Sequence, residues 1–182
     1  MTAVISCFGR NSLLLINVRP LGLYLLDVCL VEKGAVIDRV KATSGQPNRQ
    51  YFRTGLESQS GSSEPLPEGY WKLGPVEWAS GQPDDYSQNW PDSNQGLGPI
   101  WVQMDYIKPG TTERQAIGFH LDNNQGNAPG TVGCVGIIKD SNLASLKKFV
   151  SWFKNSQKAP KQAIVDWGLG TVESVITRSM AA

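Results

Sequence analysis

The chain has 182 residues with 40% hydrophobic and 18% charged side chains. That is enough to bury the core of one domain without metal or disulfide staples. A formal net charge of +1 gives no electrostatic case for nucleic acid or a membrane surface as partner. Three cysteines cannot all pair within one chain, and Cys7, Cys29 and Cys134 show no CxxC spacing, so neither a zinc site nor a redox pair is indicated. With one histidine, a His-rich metal site is excluded and no cofactor is expected.

The N-terminal region lacks a basic stretch ahead of its apolar run. SLLLINV, between Arg10 and Arg19, is far shorter than a membrane span, and no small-residue cleavage site follows. No signal peptide and no membrane span are therefore expected. Ser12–Val18 and Leu21–Val31 read as strands, broken at Arg19-Pro20. Gly34 turns the chain into a third strand, Ala35–Ala42, with alternating apolar residues. Thr43–Gly69 reads as a long loop, Tyr70–Leu73 as a short aromatic strand, and Gly74–Pro99 as a second loop carrying Trp78 and Trp90. Loops this long are often functional, so both are candidate walls of a substrate groove. Ile100–Ile107 and Gln115–His120 read as strands, and Cys134 opens the apolar run CVGII. The one clear helix follows, capped by Asp140 or Ser141, with Leu143, Leu146, Val150 and Phe153 on its apolar face. Ala163–Trp167 reads as a final strand and 168–182 as a tail. The 19 Gly and 11 Pro fit a turn-rich fold. The expected class is a mainly β, β-rich α+β single domain over residues 1–182, with its core at about 13–167.

The chemistry concentrates between Ile117 and Ile137, where the only histidine, His120, precedes Cys134 by fourteen positions. A free thiol is a poor nucleophile, with a pKa of about 8.5. A neighbouring imidazole can take its proton, raise the thiolate fraction and later protonate the leaving amine. The Gly130–Gly133 turn would let backbone N–H groups point at a developing oxyanion.

The surrounding sequence resembles the L,D-transpeptidase family. That family carries a histidine, a similar interval, then Ser/Thr-His-Gly-Cys and an aliphatic residue. Here the matching residues are His120 and Thr131-Val132-Gly133-Cys134-Val135-Gly136. Lys41-Ala42-Thr43-Ser44-Gly45 resembles the family's strand-end element. Pro65-Leu66-Pro67-Glu68-Gly69-Tyr70-Trp71 resembles the element ahead of its aromatic strand. The resemblance implies a β-sandwich or mixed-sheet fold and peptidoglycan stem peptides as substrate. It makes Cys134 the nucleophile and His120 its base. It gives an oxyanion hole at the Gly133 and Cys134 amides, and a Leu121 carbonyl that orients the imidazole. Two departures bear on substrate positioning. Val132 replaces the motif's second histidine, and Gly136 stands where Arg or Asn is usual. Cross-linking and hydrolysis both stay open. Without a signal peptide, a phage setting is expected, virion-associated or delivered to the host periplasm and cell wall, with phage structural proteins as partners.

Thr131, within the matched motif, is a candidate substrate-binding residue. Asp122, followed by Asn123 and Asn124, is placed either to bind a stem-peptide amine or a calcium ion, or to form an Asx turn. Trp78 and Trp90 are candidate groove walls, while Trp71, Trp101 and Trp167 read as core. Glu64 and Glu68 are the carboxylates a glycosidase would need, but their spacing does not single them out. Two other readings compete. One is a catalytically inactive virion or tail component on the same scaffold. The other is a papain-like order with Cys7 or Cys29 as nucleophile, although neither opens a helix.

Overall fold

A computed structural model describes residues 3–14, 23–90, 96–126 and 128–172. Among the described residues the protein is mainly β, with one short α-helix. Eight strands, β1 (Val4–Leu14), β2 (Leu23–Glu32), β3 (Ala35–Ser44), β4 (Gly69–Trp78), β5 (Ile100–Lys108), β6 (Ile117–Leu121), β7 (Val135–Ile137) and β8 (Gln162–Asp166), close into a barrel. Their order around it is β1-β2-β3-β7-β6-β5-β4-β8. The expected mixed sheet is thus a single sheet closed on itself, parallel at β1·β8 and β6·β7 and antiparallel elsewhere.

Alternate residues of each strand face the interior. Ile5 and Cys7, Leu26 and Val28, Val40 and Ala42, Trp71 and Leu73, Val102 and Met104, and Phe119 and Leu121 all join one core. Helix α1 (Ala144–Ser151) adds Leu146, Phe149 and Val150. At eight residues it is too short to be stable alone and depends on this packing. Phe149 lies 5.0 Å from Phe119, centroid to centroid. The Asp140 carboxylate accepts the Ser145 N–H at 3.0 Å, which satisfies an otherwise unpaired first-turn donor.

Three sequence expectations shift. The first strand begins at Val4, because Ile5 and Cys7 alternate into the core; residues 15–18 of the expected strand, and 173–182 of the tail, lie outside the described residues. β4 runs on to Trp78 rather than stopping at Leu73. Its register against β5 shifts between Leu73 and Val76, and this irregularity accommodates Gly74-Pro75 without a ladder hydrogen bond from proline. The helical periodicity reaches Phe153, yet α1 ends at Ser151 and Phe153 packs on the core from beyond it.

Among the described residues no helix is long and apolar enough to cross a membrane. Cys7 and Cys29 are buried in β1 and β2, and burial raises both thiols above their ordinary range. Neither opens a helix, so the papain-like order has no structural support. Glu64 and Glu68 are engaged separately. Glu64 holds Arg53 through two bonds of 2.8 and 3.1 Å. Glu68 accepts from the backbone of Trp167, Leu169 and Thr171, tying down the segment after β8.

Candidate active site

β6 and β7 are buried on both faces, so loops must cover their outer side. The parallel register pairs Phe119 with Val135 and His120 with Gly136. Phe119, Leu121, Val135 and Ile137 face the core. Gly118, His120 and Gly136 therefore share the outer face. Cys134 precedes β7, packs against the core and bonds the backbone of Gly118, two residues before His120. Trp101 of β5, paired with His120, lies on this face and not in the core as expected. Its ring stacks on the imidazole at 6.0 Å and 16°. A Cβ at Gly118 would come within 2.6 Å of the same indole, so only glycine leaves it room.

Three segments distant in the chain, Thr43–Gly45, Pro65–Pro67 and Thr131–Cys134, converge here. Gly45 N–H donates to Thr131 Oγ1 at 3.1 Å, and Thr131 N–H to the Gly45 carbonyl at 3.1 Å. The Ser44 hydroxyl donates to the Gly133 carbonyl at 3.3 Å and accepts the Leu66 N–H at 3.1 Å. The Thr43–Gly45 end of β3, the Pro65–Pro67 segment and the Thr131–Cys134 turn are thus fastened together around the cysteine.

His120 is buried, and its Nδ1 lies 2.7 Å from the Leu121 carbonyl. A carbonyl only accepts, so Nδ1 carries the proton and, in the neutral ring, Nε2 keeps its lone pair. The expected orienting contact from Leu121 is present. Burial lowers the imidazole pKa to about 4, against hydrogen bonds to the Leu121 and Gly96 backbone that favour the charged form. Cys134 is half-buried, and its Sγ donates to the Ala116 carbonyl at 3.6 Å. Burial raises the thiol to about 11, opposed by the Gly118 backbone and by the Arg114 charge. The resting pair is therefore a neutral thiol and a neutral imidazole with no hydrogen bond between them. This corrects the expectation that His120 raises the resting thiolate fraction, because burial disfavours both charged forms.

No family model, curated protein or solved structure matches the chain.

The remaining candidates divide. Gly133 N–H donates to Thr131 Oγ1 at 3.2 Å, so it is not available to an oxyanion in this conformation. The Cys134 amide is left to that role. Thr131 is buried and its hydroxyl also donates to the Cys134 carbonyl; it braces the turn instead of facing substrate. Asp122 is buried too, with Oδ2 accepting the Gly130 N–H at 3.0 Å. This bond closes the loop from eight residues away, so Asp122 ties the loop shut without forming an Asx turn. Trp78 stacks edge-on with Tyr86 at 5.0 Å and lines an apolar cavity of about 630 Å³ with Leu73, Val76, Val150 and Phe153, away from the dyad. Trp90 bonds to Gly98, on the loop whose Gly96 end covers His120. A second cavity, of about 400 Å³, is lined by Gln103, Asp105, Thr112, Arg114 and Ala116. Neither Cys134 nor His120 lines this cavity, although Ala116, on its wall, accepts the Cys134 hydrogen bond through its carbonyl. Sequence reasoning does not single out Arg114 or Ala116, and Ser44 enters it only as part of the Lys41–Gly45 element.

Asp122 carries a pH prediction. Burial raises its carboxyl from 3.8 to about 6, against the Gly130 hydrogen bond. The folded chain then holds the proton more tightly than the unfolded chain, so this contribution is most favourable below pH 4 and declines as pH rises through 6. Asp122→Asn is expected to melt with the wild type near pH 4 and above it at pH 8. A difference independent of pH would contradict this.

Proposed function

We propose that this protein is a cysteine-nucleophile acyl-transfer enzyme acting on peptidoglycan stem peptides. The observation that supports the reading is the β6·β7 register, which brings the segment carrying Cys134 to the strand carrying His120, whose imidazole is held by the Leu121 carbonyl. The convergence of Thr43–Gly45, Pro65–Pro67 and Thr131–Cys134 at that point supports it. The substrate class rests on the sequence resemblance of those elements.

In the proposed reaction Sγ bonds to the stem-peptide carbonyl carbon as its proton passes to Nε2 of His120. The negative charge moves to the carbonyl oxygen, opposite the Cys134 amide. The C–N bond breaks as Nε2–H protonates the leaving amine, which leaves a thioester on Cys134. Water or an acceptor amine then attacks the thioester, gives its proton to Nε2, and the sulfur leaves and is reprotonated. Because the resting groups are neutral, proton transfer accompanies attack and does not precede it. Action at the wall of a host cell, in a virion or at lysis, is the setting proposed with this activity, and hydrolysis is the outcome that suits it.

A second reading, an inactive structural component on this scaffold, is favoured by the orientation of the thiol toward Ala116 and by its raised pKa. Incubation with purified muropeptides and separation of products by mass spectrometry distinguishes the two. Loss or exchange of the terminal stem residue, absent in Cys134→Ala, is expected. Unchanged muropeptides with the wild-type protein would favour the structural component.

A further inference from the structure

Arg114 lies on the segment between β5 and β6, two residues before Ala116, and is 6% exposed. Nη1 donates to the Gln59 carbonyl and to Ser62 Oγ, both at 2.9 Å. Nη2 donates to the carbonyls of Glu64 at 3.0 Å and Val132 at 3.3 Å. All four bonds go to neutral oxygens. The Glu64 carboxylate, close enough to act on this charge, has both oxygens on Arg53. A guanidinium stays protonated in proteins, so a buried one without a bonded carboxylate leaves positive charge to be compensated nearby.

Its position says where. A Cβ at Gly133 would stand 1.6 Å from Nη2, so the guanidinium lies directly on the residue preceding Cys134. We infer that Arg114 is a positioning residue for Cys134: its fixed charge stabilises negative charge on the sulfur, and its bond to the Val132 carbonyl holds the turn that presents the thiol. The inference rests on the reading of Cys134 as nucleophile and gives the otherwise neutral site its source of electrostatic help. The charged and titratable groups around Cys134 are few. His120 approaches from β6 and is neutral at pH 7, Asp122 lies beyond Gly136, and Glu64 sits behind Arg114, paired with Arg53. Burial lowers the guanidinium's pKa and raises the thiol's, and the interaction between the two groups opposes both shifts.

The test is the rate of Cys134 alkylation by iodoacetamide against pH, read by peptide mapping in the wild type, Arg114→Gln and Arg114→Lys. Loss of the charge in Arg114→Gln is expected to move the midpoint up by about one unit, so that the rate at a fixed pH below it falls about tenfold. Arg114→Lys, which keeps the charge but not the fork, is expected to keep the wild-type midpoint. Coincident midpoints for Gln and wild type would overturn the inference. If Arg114→Gln fails to fold, Arg114→Lys decides: a wild-type midpoint supports the charge, and a midpoint shifted up overturns it. Alkylation is independent of turnover. A shifted midpoint with no muropeptide conversion leaves this inference standing while the proposed function fails, and conversion with coincident midpoints does the reverse.

Discussion

His120→Ala is expected to lower stem-peptide turnover by about 10²–10⁴-fold, the range for loss of a positioned general base. The loss should appear in kcat, because in the proposed reaction the imidazole acts on the proton in flight and its ring is covered by Trp101 and the Gly96 loop. The wild-type pH profile should also be distinctive. The reactive form pairs a neutral imidazole, with a pKa of about 4, and a thiol with a pKa of about 11. Activity should therefore stay level from pH 5 to 9, between the two values. Folding follows the same imidazole. Its pKa is lower in the folded chain than its ordinary 6.5, so its contribution is complete above that value and is lost as pH falls toward 4. Steady-state rates from pH 5 to 9, with melting curves at each pH, check both statements. A His120→Ala enzyme with wild-type kcat would remove the histidine from the mechanism.

Gly133→Ala is expected to be the most damaging small substitution at the site. The residue has φ of +124°, a conformation L side chains rarely adopt, and its new methyl would fall on Arg114 Nη2. Relief requires the guanidinium to leave its bonds to Gln59, Ser62, Glu64 and Val132. Backbone strain and the unsatisfied buried groups together should cost about 3 kcal/mol or more. For a chain of this size that lowers Tm by roughly 6–12 °C. Gly126→Ala, with open space around the new methyl, is the control and should stay within about 0.5 kcal/mol of wild type. A Gly133→Ala protein as stable as that control would mean the turn and Arg114 are not packed as described.

How far the sequence revealed these features depended on the distance over which each is decided. Alternation in Ala35–Ala42 and the apolar runs around Val28 and Val102 mark half-buried strands, and they are strands. Closure of the barrel is decided by pairings between distant segments, β1 with β8, β4 with β8 and β3 with β7, which leave no local signature. β6 and β7 show no alternation because loops bury their second face. Gly74-Pro75 reads as a break, yet a register shift absorbs it. At the site, His120 and Cys134 could be picked out of the sequence as a candidate pair, and the Leu121 contact was implied by the family resemblance. Arg114 could not be picked out, since its partners lie about fifty residues upstream and eighteen downstream in loops. Thr131 and Asp122 were visible as polar residues near the cysteine. Which way they turn is set by Gly45 and Gly130, and both turn into the protein.

The central claim is a covalent acyl-enzyme on Cys134. The direct measurement is intact mass, followed by peptide mapping, after acid quenching of protein mixed with a tetrapeptide stem donor. The predicted result is a mass increase equal to the acyl fragment, located on the peptide that contains Cys134, absent in Cys134→Ala and strongly reduced in His120→Ala. A protein that never gains this mass, while the donor stays intact, would contradict the account.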